Sequence, residues 1–209
     1  VATGESLEKH LEAIDPDVQL MLRVRAGDHR AYETLVERYQ HRLLGVLTHL
    51  IGRQDEAEDL TQEVFLRIYK ARKRYKPRAR FSTWLFTVAN NLAMNHLRGK
   101  RRNPVVPWGG GSTASSGDRP AGDTLPARDG TASAQMRRIE LSEVVRQAVE
   151  SLNEDQRMAV LLNKFEDLSY AEIAEIMGRS EAAIKSLLAR ARVNLRGQLE
   201  PYLQTGRLS

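Results

Sequence analysis

Apolar residues recur along this chain at intervals of three and four. Between His29 and Ile51 they fall at Ala31, Leu35, Tyr39, Leu43, Val46 and Leu50, the stripe a helix needs to pack on its neighbours. A shorter helix is predicted before it, over Asp17 to Arg25. Gly27-Asp28 breaks the chain between them, with Asp28 placed to cap the long helix and Gly52 to close it. Gln54 to Ala71 predicts a third helix, carrying Ala57, Leu60, Val64, Ile68 and Ala71 on one face. Its Asp59, Gln62, Glu63 and Leu66 fall largely on another face, free for a partner. After the basic turn KRYKPRAR, the segment FSTWLFTVANNLAMNHLRGKRR reads as a fourth helix, capped by Ser82 or Thr83 and ending in a cationic cluster.

Composition changes abruptly between Asn103 and about Ala134, a stretch that holds six of the fourteen glycines and four of the seven prolines. Such a run neither holds a helix nor buries a core, so it reads as a flexible Gly/Pro/Ser-rich linker. Beyond it a helix is predicted from Gln135 to Ser151, and Asn153 caps a second from Glu154 to about Lys164. Ser169 caps YAEIAEIM, Gly178-Arg179-Ser180 makes a tight turn, and EAAIKSLLARARVNLRGQL forms a last helix that stops before Pro201. The expected fold is all-α, with two small helical domains. Residues 17–102 form an N-terminal helical bundle, 103–134 the linker, and 135–203 a four-helix unit containing a helix-turn-helix.

Composition agrees with helices, since aromatic residues make up only 6 % of the chain and β-branched runs are scarce. With no cysteine and five widely spaced histidines, disulfides and thiolate or histidine metal sites are not expected. No stretch of eighteen apolar residues occurs, so neither membrane insertion nor a transmembrane helix is expected, and the protein is read as cytoplasmic. A formal net charge of +5 leaves a polyanionic partner open without deciding it.

Three features bear on function. In the span Tyr170 to Ala189, Ala174 is small where two helices would cross, Gly178 permits the positive φ of the turn, and Ile173, Met177, Ile184 and Leu188 close the core between them. That leaves Lys185, Ser186, Arg190, Arg192 and Arg196 on exposed faces of the last helix, residue types that read a major groove or hold phosphates. The second feature is Tyr75 to Arg102. There Tyr75, Phe81, Trp84, Phe86, Asn90, Asn91 and Asn95 precede Arg98, Lys100, Arg101 and Arg102. Aromatics stack on unpaired bases, asparagines bond base edges and cations hold phosphates, although Phe86 is better read as core. Third, the carboxylates Asp55, Glu56, Glu58, Asp59 and Glu63 lack any histidine, phosphate loop or nucleophile beside them. A docking face fits them better than an active site, so neither an enzyme nor a cofactor is expected.

The segments GDHRAYETLVERYQ, DEAEDLTQEVFLRIYKA, RFSTWLFTVANNLAMNHLRGKRR and LSYAEIAEIMGRSEAAIKSLLARARVNLR resemble, in order, blocks of the extracytoplasmic-function sigma factors of the sigma-70 family. The resemblance implies a protein that binds core RNA polymerase, at the largest-subunit clamp helices and the flap, and directs initiation at promoter DNA. It implies that Asp59, Gln62, Glu63 and Leu66 dock on polymerase. Tyr75, Val88 and Asn91 would line a pocket for a flipped-out −10 base, with Trp84 at the melted edge and Asn95, Arg98, Lys100 and Arg101 on nearby DNA. Lys185, Ser186 and Arg190 would contact the −35 element and Arg192 a phosphate, whereas Leu187 stands where many relatives have arginine. An anti-sigma factor is the regulator the family implies. An autonomous helix-turn-helix regulator, or a mimic that sequesters an anti-sigma factor, would leave either the asparagine-rich helix or the cationic faces without a purpose.

Overall fold

A computed structural model describes residues 15–102 and 132–205 of the chain. Among them all regular structure is helical. In order they are α1 (Pro16–Arg25), α2 (His29–Ile51), α3 (Gln54–Ala71), a 3₁₀ turn (Arg72–Arg74), α4 (Phe81–Arg102), α5 (Ala132–Glu150), α6 (Glu154–Lys164), α7 (Tyr170–Met177) and α8 (Glu181–Thr205). No helix among the described residues is long and apolar enough to cross a membrane.

The predicted caps operate at most boundaries. The Asp28 carboxylate accepts from the Arg30 and Ala31 amides, Asn153 caps α6, and Ser169 forms a reciprocal capping box with Glu172. Gly52 and Gly178, at φ 78° and 61°, close α2 and α7 in the left-handed region that glycine enters without a Cβ clash. Three boundaries differ from the sequence reading. α4 begins at Phe81, and neither Ser82 nor Thr83 caps it; instead the Asp15 carboxylate, already capping α1, accepts from the Phe81 amide at 3.0 Å. α5 begins at Ala132, so its first turn takes in residues assigned to the linker, while 103–131 lie outside the described residues. α8 runs through Pro201, because proline removes one hydrogen bond while its fixed φ remains helical.

The apolar stripe of α2 is buried along its whole length and receives α1, α3 and α4. Phe81 and Phe86 of α4 are fully buried, so both are core and neither is available to stack on DNA. In the C-terminal helices Ile173, Ala174, Ile184, Leu188 and Ala191 meet in the core as the spacing predicts. The two sets of helices also pack on each other, α7 against α4 and α6 with α5 against α2.

Candidate nucleic-acid interface

On α4, Trp84, Val88, Asn91, Asn95 and Arg98 follow one another at steps of three and four, so they form one stripe along the helix. Trp84 and Val88 are half-buried at its start, and Asn91, Asn95 and Arg98 are exposed further on. Tyr75 arrives from the loop before the helix, held by Arg25, whose guanidinium donates to the Tyr75 carbonyl at 3.1 Å. Its ring lies 4.8 Å from that of Trp84 and is only 5 % exposed. The buried Tyr75 hydroxyl has no hydrogen-bond partner among the described residues, and burial, with the Asp15 carboxylate adding to it, pushes the phenol above its ordinary pKa. The sequence reading sets Tyr75 against the base, but its ring is buried behind Trp84, so it backs that ring instead. Half-buried Trp84, with the exposed amides beyond it, is what can meet an unpaired base and bond its edge.

The cations at the end of α4 divide. Lys100 Nζ donates to Glu56 at 2.6 Å, His96 Nε2 lies 2.7 Å from the same carboxylate, and Arg101 pairs with Glu154 at 2.9 Å. Partial burial works against the ionised form of Glu56, but the hydrogen bonds from Lys100 and His96 outweigh it and hold the carboxyl below its ordinary range. Glu56 thus ties the start of α3 to the end of α4.

On α8, Lys185, Ser186, Arg190 and Arg192 are all exposed. Lys185 pairs with Glu181 at 3.1 Å, Arg190 donates to the Ser186 carbonyl, and Arg192 donates to the Tyr170 hydroxyl at 3.0 Å. Leu187, between the outward positions, is 6 % exposed and belongs to the core, so it reads no base. That placement explains why leucine is accommodated there.

On α3, Asp59, Gln62 and Leu66 are exposed, and Glu63 is paired with Arg67 at 2.7 Å. Leu66, 44 % exposed, forms with His29, Tyr32, Glu33 and Tyr69 the wall of a shallow cleft of 240 Å³. The Tyr32 and Tyr69 rings lie 4.9 Å apart, and the Arg72 guanidinium sits 3.9 Å over the Tyr69 ring. Sequence reasoning found Leu66 and missed this aromatic wall. Tyr69 follows Leu66 by three positions on the same helix, which was the available signal, but Tyr32 and His29 come from another helix and join only on folding.

Residues 35–103 match the family model of sigma-70 region 2, and residues 142–195 that of sigma-70, region 4. The chain is 35 % identical over 190 residues to the RNA polymerase sigma-H factor of Pseudomonas aeruginosa, covering 91 % of this chain and 97 % of that one. It is 33 % identical over 187 residues to the ECF RNA polymerase sigma-E factor of Haemophilus influenzae, covering 90 % and 97 %. Among solved structures it matches CnrH in complex with the cytosolic domain of CnrY, with a TM-score of 0.64 at 22 % identity over 90 % of this chain and 99 % of that one. The sigma factor RpoE, in complex with the anti-sigma factor NepR from Bartonella quintana, matches with a TM-score of 0.59 at 23 % identity, covering 81 % and 96 %. The structural likenesses carry the fold, and the sequence matches over nearly the whole length carry the family. With both sigma-70 regions present in order and full-length relatives above 30 % identity, the chain belongs to the extracytoplasmic-function sigma factors of the sigma-70 family.

Proposed function

We propose that this sigma factor docks on core RNA polymerase through the outer face of α3, captures a melted −10 base along α4 and reads the −35 element with α8. The observation that carries the reading is the stripe on α4, where half-buried Trp84, backed by the Tyr75 ring 4.8 Å away, and Val88 are followed by exposed Asn91 and Asn95. Strand opening costs stacking and pairing energy. A pre-formed aromatic and amide surface offsets that cost by holding the extruded base. Arg98 continues the stripe toward phosphates, and Lys185, Ser186, Arg190 and Arg192 form the corresponding outward face of α8. On this reading 15–102 is the polymerase and −10 unit, 132–205 is the −35 unit, and the protein works in the cytoplasm as a binding subunit without catalysis of its own. RpoE of Bartonella quintana was solved with an anti-sigma factor, and we place this chain under a regulator of that kind.

The test is Asn91→Ala in full-length protein. Promoter opening, followed by permanganate reactivity of unpaired thymines, is expected to fall at least tenfold while the affinity for core polymerase stays within twofold. Undiminished opening would remove Asn91 from the base-reading surface.

A further inference from the structure

The loop that leads into α4 is crowded with like charge. Residues 72–80 carry six cations, at Arg72, Lys73, Arg74, Lys76, Arg78 and Arg80, and no acid. Lys73, Arg74, Lys76 and Arg78 are exposed, and none of the four has an ion pair among the described residues. A segment of like charges repels itself and extends. After the 3₁₀ turn at Arg72–Arg74, residues 75–80 lie in no helix or strand that would resist this.

α1 holds the loop at both ends. From the last residue of α1, Arg25 donates to the Tyr75 carbonyl at 3.1 Å, and from the N-cap the Asp15 carboxylate accepts from the Phe81 amide at 3.0 Å. The ten-residue helix between these groups is about 15 Å long and is itself fixed. Val18, Met21 and Val24 are buried in the core, and Arg23 donates to the Asp28 carboxylate that caps α2. Both residues that α1 clamps present rings to one tryptophan. Tyr75 lies 4.8 Å from Trp84, and Phe81 meets it edge-on at 6.0 Å. Ordering a loose side chain at the moment of binding weakens binding, so a ring held beforehand receives a base more tightly.

We propose that α1 is a brace for the base-reading surface: Arg25 and Asp15 are positioning residues that, through Tyr75 and Phe81, hold the Trp84 ring where it meets an unpaired base. The proposal rests on the assignment of Trp84 to the melted strand. Arg25 acts in it through the rings and not as a contact to DNA.

The chain has two tryptophans, Trp84 and Trp108, so Trp108→Phe in the full-length protein leaves Trp84 as the one indole reporter. In that background Arg25→Met, which keeps the aliphatic stem and removes the donor, is expected to raise acrylamide quenching of Trp84 fluorescence at least twofold. The melting temperature is expected to fall by no more than a few degrees. With Trp108 in place, Arg25→Met is expected to lower promoter opening, followed by permanganate reactivity, at least threefold, with affinity for core polymerase within twofold of the parent. Arg25→Lys, which keeps the charge and a donor, is expected to recover at least half of both effects.

Unchanged quenching in Arg25→Met overturns the brace whatever happens to opening, because a lost phosphate contact would lower opening without loosening the ring. Raised quenching with undiminished opening overturns it too, since the held ring would then serve no purpose in melting. No recovery of quenching by lysine overturns the bond to the Tyr75 carbonyl as the cause. Trp84→Ala tests the underlying assignment separately. Full opening there removes Trp84 from the base-reading surface, while the quenching result still decides whether α1 holds the ring.

Discussion

Asp15 serves two helices with one carboxylate. Oδ1 accepts from the Asp17 and Val18 amides at the start of α1, and Oδ2 accepts from the Phe81 amide at the start of α4. Losing a cap costs about 1 kcal/mol per helix, so Asp15→Ala is expected to destabilise the protein by about 2 kcal/mol. Asp15→Asn, which keeps one acceptor oxygen and places a donor where the other stood, should lose at least about half of that in urea unfolding. None of this was legible in sequence, because a bond between a side chain and a main-chain amide 66 residues away leaves no periodic trace. Phe81 shows the same limit. An aromatic at the mouth of an asparagine-rich helix is compatible with stacking on bases or with the core, and only its packing edge-on to Tyr39 at 5.2 Å places it in the core.

Elements were read more reliably than their ends. The stripe of α2 is buried throughout and those of α3 and α8 are buried except at Leu60, Ala71 and Leu195, which are half-buried, because burial of an apolar face is what the helical period encodes. Ends depend on tertiary partners, as α4 and α8 show. The tie between α3 and α4 is a case where charge chemistry predicts behaviour. Against the opposing effect of partial burial, the hydrogen bonds and charges of Lys100 and His96 hold the Glu56 carboxyl below its ordinary range. Its stabilising contribution is therefore fully present above the unfolded carboxyl pKa, about 4.3, and is lost as pH falls through the lower folded value. Glu56→Gln is expected to lower the melting temperature by a few degrees at pH 7. Measured again at pH 3, that difference should shrink toward zero; a constant difference would show that packing, not the charge, holds these helices together.

At the scale of the molecule, two arginines with similar bonding differ in what they hold. Arg157 is half-buried and donates to the carbonyls of Leu50, Glu150 and Leu152, joining the end of α2 to the junction of α5 and α6. Arg146 also makes several bonds, but they are exposed and local, to Glu143 and Glu150 on its own helix. Carbonyls stranded in a partly dry contact each cost about 1 kcal/mol or more, whereas exposed helix pairs contribute about 0.5 kcal/mol. Arg157→Ala is expected to destabilise by about 3 kcal/mol and Arg146→Ala by under about 1 kcal/mol, compared by urea midpoint. The sequence offered no view of this contact. Its anchors are main-chain oxygens and a buried Asn90 that read, in one dimension, like the DNA-facing asparagines beside it.

The packing of α7 on α4 also bears on how scarce polymerase is shared among competing subunits. A protein whose promoter-competent form is a fraction of its population shows a promoter affinity reduced by that same fraction. If one molecule in about a hundred has α7 away from α4, apparent affinity falls about a hundredfold, with no inhibitor bound. Asn90, beside Asn91 on α4 but turned into the contact with α7, and Glu166, paired with Arg42, would then set the cellular dose at which this subunit begins to be heard.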